Sequence, residues 1–156
     1  MGSMIIDLTK TQTNISNFPD GMYEAKIVKA EMKIAKSSGD PMVDLNWEIH
    51  HPELGNAVLR DNLPYNFPDK VKSFWLAANE MTEQDFQQAK AENPNDLENV
   101  EINPEEMIGL EMVIQMGEVE GKTNGQPNGK MYKNVVGSWY FPASRAESLV
   151  MWETPF

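Results

Sequence analysis

The sequence predicts a mainly β fold, in which five antiparallel strands form a bent barrel with helices inserted between the third and fourth strands. Apolar and polar residues alternate with a period of two in five segments, which is the pattern of half-buried strands. Apolar residues at helical spacing separate the third segment from the fourth. A chain of 156 residues with 40% hydrophobic residues is large enough for one such domain and a short tail.

The first three predicted strands follow one another as a meander. A turn at residues 19–21 begins the first strand, in which the alternation changes phase once, at Val28, as in a β-bulge. Turns at residues 37–41 and 51–56 separate it from a second strand and a third. Trp47 shares the phase of the apolar residues in the second strand, so we expect its ring in the core.

Residues 68–108 are predicted to form a helical insertion. Phe74 and Trp75 lie among apolar residues with helical spacing, and we expect both to pack against the barrel. A capping-box pattern at Thr82 and Asp85 predicts the start of a second helix. The insertion is therefore expected to contain two helices, followed by a short helical turn before the fourth strand.

A fourth strand at residues 110–116, a long mobile hairpin loop at 120–130 and a fifth strand at 131–141 complete the predicted order. Three meandering strands, a helical insertion and a final hairpin occur in this order in the OB-fold. We therefore predict an OB-fold-like barrel over residues 18–142. An open sandwich with a similar number of strands is the alternative.

Both ends of the chain are predicted to lie outside the barrel. Residues 1–17 form an N-terminal arm with a short strand at 4–8, and residues 1–3 resemble a cloning remnant before a natural start at Met4. Residues 143–156 form a C-terminal tail that ends in Pro-Phe. The predicted organisation is therefore an arm, one barrel with its insertion, and a tail.

The end of the tail resembles the partner-docking tip of bacterial single-stranded DNA-binding proteins. There a terminal aromatic residue and its carboxylate bind in a basic, apolar pocket. The resemblance rests on Trp152, Pro155 and Phe156 and implies docking on a replication or recombination protein. The alternative is that these side chains pack on a neighbouring protomer, and we expect a homo-oligomer.

Charge is distributed unevenly along the chain. The whole sequence carries a formal net charge of −11, which argues against a general nucleic-acid-binding surface. Residues 80–111, however, contain ten acidic residues and one basic residue, whereas residues 121–145 contain four basic residues and no acidic one. We therefore expect an acidic flank on the helical insertion and a locally positive flank elsewhere.

The residues that usually carry enzymatic chemistry or bind metal are few. The absence of cysteine excludes disulfides, thiolate nucleophiles and zinc–thiolate sites. His50 and His51 are adjacent on a strand end and should point to opposite faces, so they are poor partners for one metal ion. The sequence has no phosphate-binding loop, dinucleotide fingerprint or acid–base pair. We therefore predict no catalytic residue, no metal site and no cofactor, and a protein that is not an enzyme.

Hydropathy bears on localisation. No apolar segment approaches the ~18 residues that a membrane-spanning helix needs. We therefore expect a cytoplasmic protein without a membrane partner. If the source is a virus, the expected location is the cytoplasm of the host cell.

Basic and aromatic residues together suggest a surface for single-stranded nucleic acid, where cations neutralise phosphates and rings stack on bases. The predicted phosphate contacts lie on the exposed phase of the strands and in the two hairpins: Lys29, Lys33, Lys36, Arg60, Lys122, Lys130 and Lys133. On the fifth strand, Tyr132 and Tyr140 share the face opposite a more apolar set that includes Trp139, so they are the predicted stacking residues. The alternative is that both tyrosines cover the barrel.

Two stretches of the sequence resemble phage single-stranded DNA-binding proteins of replication and recombination modules. Their opening is similar to PDGMYEAKIVKAEMKIAKSSGDPMVDLNWEI, and their closing hairpin to IGLEMVIQMGEVEGKTNGQPNGKMYKNVVGSWY. The resemblance covers about residues 19–141 and implies an OB-fold protein that binds single-stranded DNA with little sequence specificity and protects it. The acidic insertion keeps a second function open, that of a DNA mimic or inhibitor that binds a basic DNA-processing enzyme.

Overall fold

The computed structural model of the protein describes residues 2–6, 8, 14–36 and 38–150. It contains one five-stranded antiparallel sheet, with the strands β1 (Gly21–Ile34), β2 (Pro41–His51), β3 (Gly55–Pro64), β4 (Glu111–Thr123) and β5 (Gln126–Pro142). Their order in the sheet is β3-β2-β1-β4-β5, so β1 lies at the centre. The prediction of a mainly β fold with five antiparallel strands is confirmed.

The meander of β1, β2 and β3 follows the alternation in the sequence. Val43, Leu45, Trp47 and Ile49 of β2 are buried, whereas the residues that alternate with them are partly exposed. The predicted bulge is present, because the register of β1 against β2 shifts between Ile27 and Lys29. A bulge bends its strand, and β1 pairs with β4 through its first residues and with β2 through its later ones.

The helical insertion lies between β3 and β4, as predicted. It contains α1 (Pro68–Ala78), α2 (Glu83–Glu92), α3 (Asn95–Glu98) and α4 (Pro104–Met107). The capping box of α2 is formed, since Asp85 N–H donates to Thr82 Oγ1 at 3.0 Å and Thr82 N–H donates to Asp85 Oδ2 at 3.0 Å. Phe74 is buried against Trp47, with ring centroids 6.3 Å apart. Helix α1 therefore packs on the core, as the spacing of its apolar residues predicts.

The β4-β5 hairpin is longer and tighter than predicted. β4 continues to Thr123 and β5 begins at Gln126, so Asn124 and Gly125 alone form the turn. Both turn residues have positive φ, 53° and 80°, which asparagine and glycine adopt at low cost. The prediction of a long mobile loop at residues 120–130 is wrong, because the Asn-Gly pair closes a two-residue hairpin.

β5 is irregular in a segment for which the sequence suggests simple alternation. Ile114 and Met116 of β4 are two residues apart, but the residues opposite them on β5, Tyr140 and Val135, are five residues apart. Within this segment Gly137 and Trp139 have φ values of 65° and 58°. The additional residues change the phase of the strand, so Val135 and Tyr140 are both only 4% exposed. The prediction that Tyr140 is an exposed stacking residue is wrong for this reason.

Asp61 connects the two edge strands of the sheet. Its side chain is 0% exposed; Lys70 Nζ of α1 donates to Oδ1 at 2.7 Å, and Trp47 Nε1 donates to Oδ2 at 3.0 Å. The hydroxyl of Tyr140 on β5 donates to the same Oδ2. Burial, together with the charge of Asp61, raises the pKa of Tyr140 well above its usual value. One buried carboxylate thus holds β2, β3, β5 and α1 together.

The two ends of the chain are described only in part. Residues 2–6 contain no strand, so the strand predicted at 4–8 is not formed there. The described part of the tail, residues 143–150, forms helical turns that include α5 (Ala146–Leu149). The predicted docking residues Trp152, Pro155 and Phe156 lie outside the described residues. No helix in the described ranges has both the length and the apolar character needed to cross a membrane.

Candidate nucleic-acid interface

The outer surface of the meander carries three of the predicted basic residues. Lys29, Asn46 and Arg60 are opposite one another on β1, β2 and β3, and side chains at opposite positions point to the same side of a sheet. In the neighbouring row, Glu31 of β1 is opposite Asp44 of β2, which is opposite Asn62 of β3. We call this surface the polar face; its residues are Lys29, Glu31, Lys33, Asp44, Asn46, Arg60 and Asn62.

Asp44 lies at the centre of the charges on the polar face. Its Oδ2 is 2.9 Å from Lys33 Nζ and 3.8 Å from Arg60 Nη2. The hydrogen bond to Asp44 raises the pKa of Lys33. The Arg60 side chain is nevertheless 79% exposed, and that of Lys33 is 45% exposed. Both cations are therefore held in place by Asp44 while remaining open to an anion from solvent.

Lys29 and Lys36 are the other predicted phosphate contacts in the β1-β2 hairpin. Lys29 is exposed and begins the row that crosses the three strands, whereas Lys36 lies in the turn that joins β1 to β2. Within the described part of the chain, neither ammonium group has a carboxylate oxygen within 4.0 Å. Each is available to neutralise a phosphate without first leaving an ion pair.

A second group of predicted residues lies on the β4-β5 hairpin. Lys122 and Lys130 are exposed, and Tyr132 is 51% exposed. Tyr132 is opposite Val119 of β4. A half-exposed ring on the same hairpin as two exposed lysines can offer a stacking surface to a base.

The two groups are separated along the central strand. β4 pairs with β1 up to Gly21, which is opposite Met116, and then continues beyond the start of β1. The polar face, by contrast, lies on the later half of β1, after the bulge. The structure therefore places the basic residues as two groups at different ends of β1, and Tyr132 belongs to the second.

Lys133 does not lie where the sequence suggested. Its side chain is only 7% exposed, and Nζ donates to Asp20 Oδ1 at 2.8 Å and to Glu118 Oε1 at 2.9 Å. Burial acts to lower the pKa of Lys133, but the hydrogen bonds to both carboxylates outweigh it, so the pKa is raised. The prediction of an exposed phosphate contact at Lys133 is wrong, because two acids already compensate its charge.

Sequence reasoning missed the acid and the amides of the polar face. Asp44 and Asn46 occupy the polar phase of β2, and this is visible in the sequence. Their position between Lys29 and Arg60 depends on the register of two strand pairs, which no local pattern specifies. Amide side chains at these positions can donate hydrogen bonds to phosphates or bases.

The two histidines have separate surroundings. His50 is exposed, with Nδ1 2.7 Å from Asn56 Oδ1. His51 is buried, and its Nδ1 accepts hydrogen bonds from the N–H groups of Glu53 and Leu54 at 3.1 and 3.2 Å. The prediction that the two rings point to opposite faces is confirmed. In the described ranges, no three His, Asp or Glu side chains form a group that could hold a metal ion.

The chain belongs to the family described as "Protein of unknown function (DUF669)", whose match covers residues 6–144. No curated protein matches the chain. The matched range contains all five strands, the helical insertion, the polar face and the β4-β5 hairpin. Both groups of candidate residues therefore belong to the part of the chain that defines the family.

Proposed function

We propose that the protein binds single-stranded DNA with little sequence specificity and protects it during phage replication or recombination, without being an enzyme. The observation that carries the proposal is the row of Lys29, Asn46 and Arg60 across three strands. We further propose that the sheet is an OB-fold-like barrel. The strand order, the helices between β3 and β4, and the contact of Asp61 with Tyr140 all support that fold.

The polar face favours weak contacts to phosphate. It carries three cations and two acids, so it is mildly positive on a protein whose formal net charge is −11. A phosphate that approaches Lys33 or Arg60 competes with Asp44 for the same hydrogen-bond donors. Electrostatics alone therefore supplies a modest part of the affinity, and stacking on Tyr132 supplies another ~1–3 kcal/mol.

A single strand can reach both groups of residues by running along β1. Lys29 begins the polar face, and Gly21, eight residues earlier in β1, pairs with Met116 of β4. Val119, three residues further along β4, is opposite Tyr132. At a rise of about 3.3 Å per residue, this path of about eleven residues from Lys29 to the position of Tyr132 spans at most about 36 Å. Binding sites of roughly 4–16 nucleotides per OB-fold are long enough to cover such a distance.

The test is a titration of a fluorescent oligo-dT, repeated at several salt concentrations and beside a duplex of the same length. We expect a preference for the single strand. With ~3–5 phosphate contacts, the slope of log K against log salt should be about −2 to −3.5. Equal affinity for the duplex, or no binding of either at low salt, would contradict the proposal.

Matched variants test the residues as well as the activity. Arg60→Ala should reduce the salt slope by about 0.7, the value for one phosphate contact with a single strand. Lys133→Ala should leave the slope unchanged, because Asp20 and Glu118 already compensate that charge. Lys90→Ala removes an exposed cation from α2, away from both groups, and is the control.

The alternative function, an acidic module that mimics DNA or inhibits a basic DNA-processing enzyme, is favoured by one observation. Residues 80–111, which cover most of the insertion and the first residue of β4, contain ten acids and one base, and the side chains of the α2 acids are exposed. A DNA mimic binds no oligo-dT at any salt concentration. The same titration therefore separates the two functions.

A further inference from the structure

An apolar groove lies on the opposite side of the β1-β2 hairpin from the polar face. Its volume is about 480 Å³, and it separates the inner side of the hairpin from the helices of the insertion. We call it the apolar groove; the lining residues used below are Met32, Tyr65, Trp75, Phe86, Val100 and Glu98. Met32 of β1 is opposite Val43 of β2. Both lie on the face of the sheet that carries the buried core residues.

The groove is open because the hairpin extends beyond the core. Met32 is 51% exposed, although its phase in β1 is that of the buried residues. Tyr65, directly after β3, is 70% exposed, and Val100, after α3, is 38% exposed. Large apolar side chains that converge on one concave surface in water are typical of an interaction site.

The rim of the groove is acidic. Asp69 and Glu98 both line it, and Glu98 belongs to the acid-rich range 80–111. Among the described residues, Lys72 is the one basic side chain that lines the groove, and its Nζ is bound to Glu83 Oε1 at 2.7 Å. The same ammonium group lies 4.2 Å from the centroid of the Phe86 ring. Within the described ranges, neither Asp69 nor Glu98 has a cation within 4.0 Å, so both carboxylates of the rim are open to a cationic ligand.

The negative charge of the rim indicates which kind of segment can bind in the apolar groove. A second copy placed face to face would bring acidic insertion against acidic insertion, and like charges at an interface oppose association. The N-terminal segment 2–8 is apolar but contains one acid and no base, so it lacks the charge that would match the rim. A cationic, apolar segment matches both the floor and the rim.

We propose that the apolar groove is the docking site for a segment of a partner protein in which bulky apolar side chains are flanked by lysine or arginine. The apolar side chains pack between Met32 and Trp75, and the basic ones meet Asp69 and Glu98. Met32 and Lys33 are adjacent and point to opposite faces of β1, so the partner and a strand on the polar face do not compete for space. The proposal does not depend on DNA binding.

The probe is the fluorescently labelled synthetic peptide KLLKKLLKKLLK, titrated with the full-length protein at physiological salt and followed by anisotropy. The peptide KSSKKSSKKSSK keeps the bases without the apolar side chains, and ELLEELLEELLE keeps the apolar side chains without the bases. We expect the first peptide to bind at least tenfold more tightly than either control. Equal binding of the lysine–serine peptide would overturn the proposal, because charge alone would then explain the affinity.

Two pairs of matched variants locate the site. Tyr65→Ser and Glu98→Lys should each weaken binding of the first peptide by about tenfold. Ile108→Ser removes another exposed apolar side chain, and Glu105→Lys makes the same charge change, both outside the groove. These controls should bind like the wild type. A loss in the controls equal to that in Tyr65→Ser and Glu98→Lys would overturn the proposal.

Two further measurements decide between occupants. In amide NMR spectra, peptide should shift the resonances of Met32 and Trp75 and leave that of Asn46 unchanged; shifts centred on the polar face would overturn the proposal. Sedimentation should give the same mass for wild type and Tyr65→Ser. A wild-type dimer that Tyr65→Ser converts to monomer would assign the groove to a second copy instead.

Discussion

Asp44 and Asp61 lie on neighbouring strands and face opposite sides of the same sheet. Asp61 is fully buried and accepts hydrogen bonds from Lys70, Trp47 and Tyr140. Asp44 is 19% exposed and is shared by Lys33 and Arg60. Both aspartates have cationic partners, but they differ in how far water reaches the carboxylate.

The difference follows from the cost of removing charge from water. A buried carboxylate needs all of its partners, because breaking such a pair leaves an uncompensated charge in a region of low dielectric constant. A surface ion pair contributes ~0–1 kcal/mol, since water solvates either partner once the pair opens. Asp61 therefore fixes the fold, whereas Asp44 can exchange its cations for an incoming phosphate.

The largest expected effect comes from removing the buried carboxylate. Asp61→Ala should lower the free energy of unfolding by ~3–5 kcal/mol, because the ammonium of Lys70 is left buried without its partner. Asp44→Ala, the matched change on the other face, should cost at most ~1 kcal/mol. Urea unfolding followed by tryptophan fluorescence measures both. Similar losses in the two variants would mean that burial does not distinguish them.

The two tyrosines of β5 differ in burial as the two aspartates do. Tyr140→Phe removes a donor from Asp61 and should reduce the free energy of unfolding by ~1–3 kcal/mol, while oligo-dT affinity stays unchanged. Tyr132→Ala should weaken oligo-dT binding by ~1–3 kcal/mol without altering stability or the salt slope. Unfolding midpoints and anisotropy titrations of both variants provide the measurements. A Tyr132→Ala protein that unfolds would place that ring in the core.

Alkaline pH should weaken the buried network around Asp61. A tyrosine in the unfolded chain loses its proton near pH ~10, whereas burial holds the pKa of Tyr140 well above that value. Above pH ~10 the unfolded state therefore binds fewer protons than the folded state, so stability is complete below this pH and falls as the pH rises. Burial also raises the pKa of Tyr23 to about 12, which adds to the fall.

The measurement is the urea midpoint between neutral and strongly alkaline pH. Tyr140→Phe should show a shallower decline than the wild type, although it starts from a lower stability. Tyr132→Phe, which changes an exposed ring, is the control and should follow the wild-type curve. Parallel declines in the wild type and Tyr140→Phe would rule out Tyr140 as the source of the pH dependence.

The smallest expected effect concerns Asp44 as a competitor of phosphate. Asp44→Asn keeps the shape of the side chain but removes the charge that holds Lys33 and Arg60, so oligo-dT should bind about two- to fivefold more tightly. Glu105→Gln makes the same charge change on the insertion and is expected to have less effect, because a distant surface charge is screened by salt. Weaker binding by Asp44→Asn would mean that Asp44 positions the cations and does not compete with the ligand.

Local patterns in the sequence were sufficient wherever the strands are regular. Alternation predicts β2 and its buried Trp47, the phase change at Val28 predicts the bulge, and the Thr82 capping box predicts the start of α2. The Asn-Gly pair at residues 124–125 was an available signal for the tight hairpin. These features depend on residues close together in the chain.

The failures have physical causes that local patterns do not contain. The tyrosine assignment assumed a constant phase along β5, which the positive φ values of Gly137 and Trp139 interrupt. The compensation of Lys133 depends on Asp20, which is distant in sequence. Docking through Trp152 and the rest of the chain end stays a prediction, because those residues lie outside the described part.

The central position of β1 has a consequence for how the chain folds. β1, β2 and β3 pair with their neighbours in sequence, as do β4 and β5, so each unit can form through short loops. Joining them requires Gly21 to meet Met116, across most of the chain, and this closure should limit the folding rate. Because the entropy of loop closure grows only by about 0.6 kcal/mol for each doubling of length, the part of the insertion between α1 and α4 can lengthen or shorten at little cost to stability.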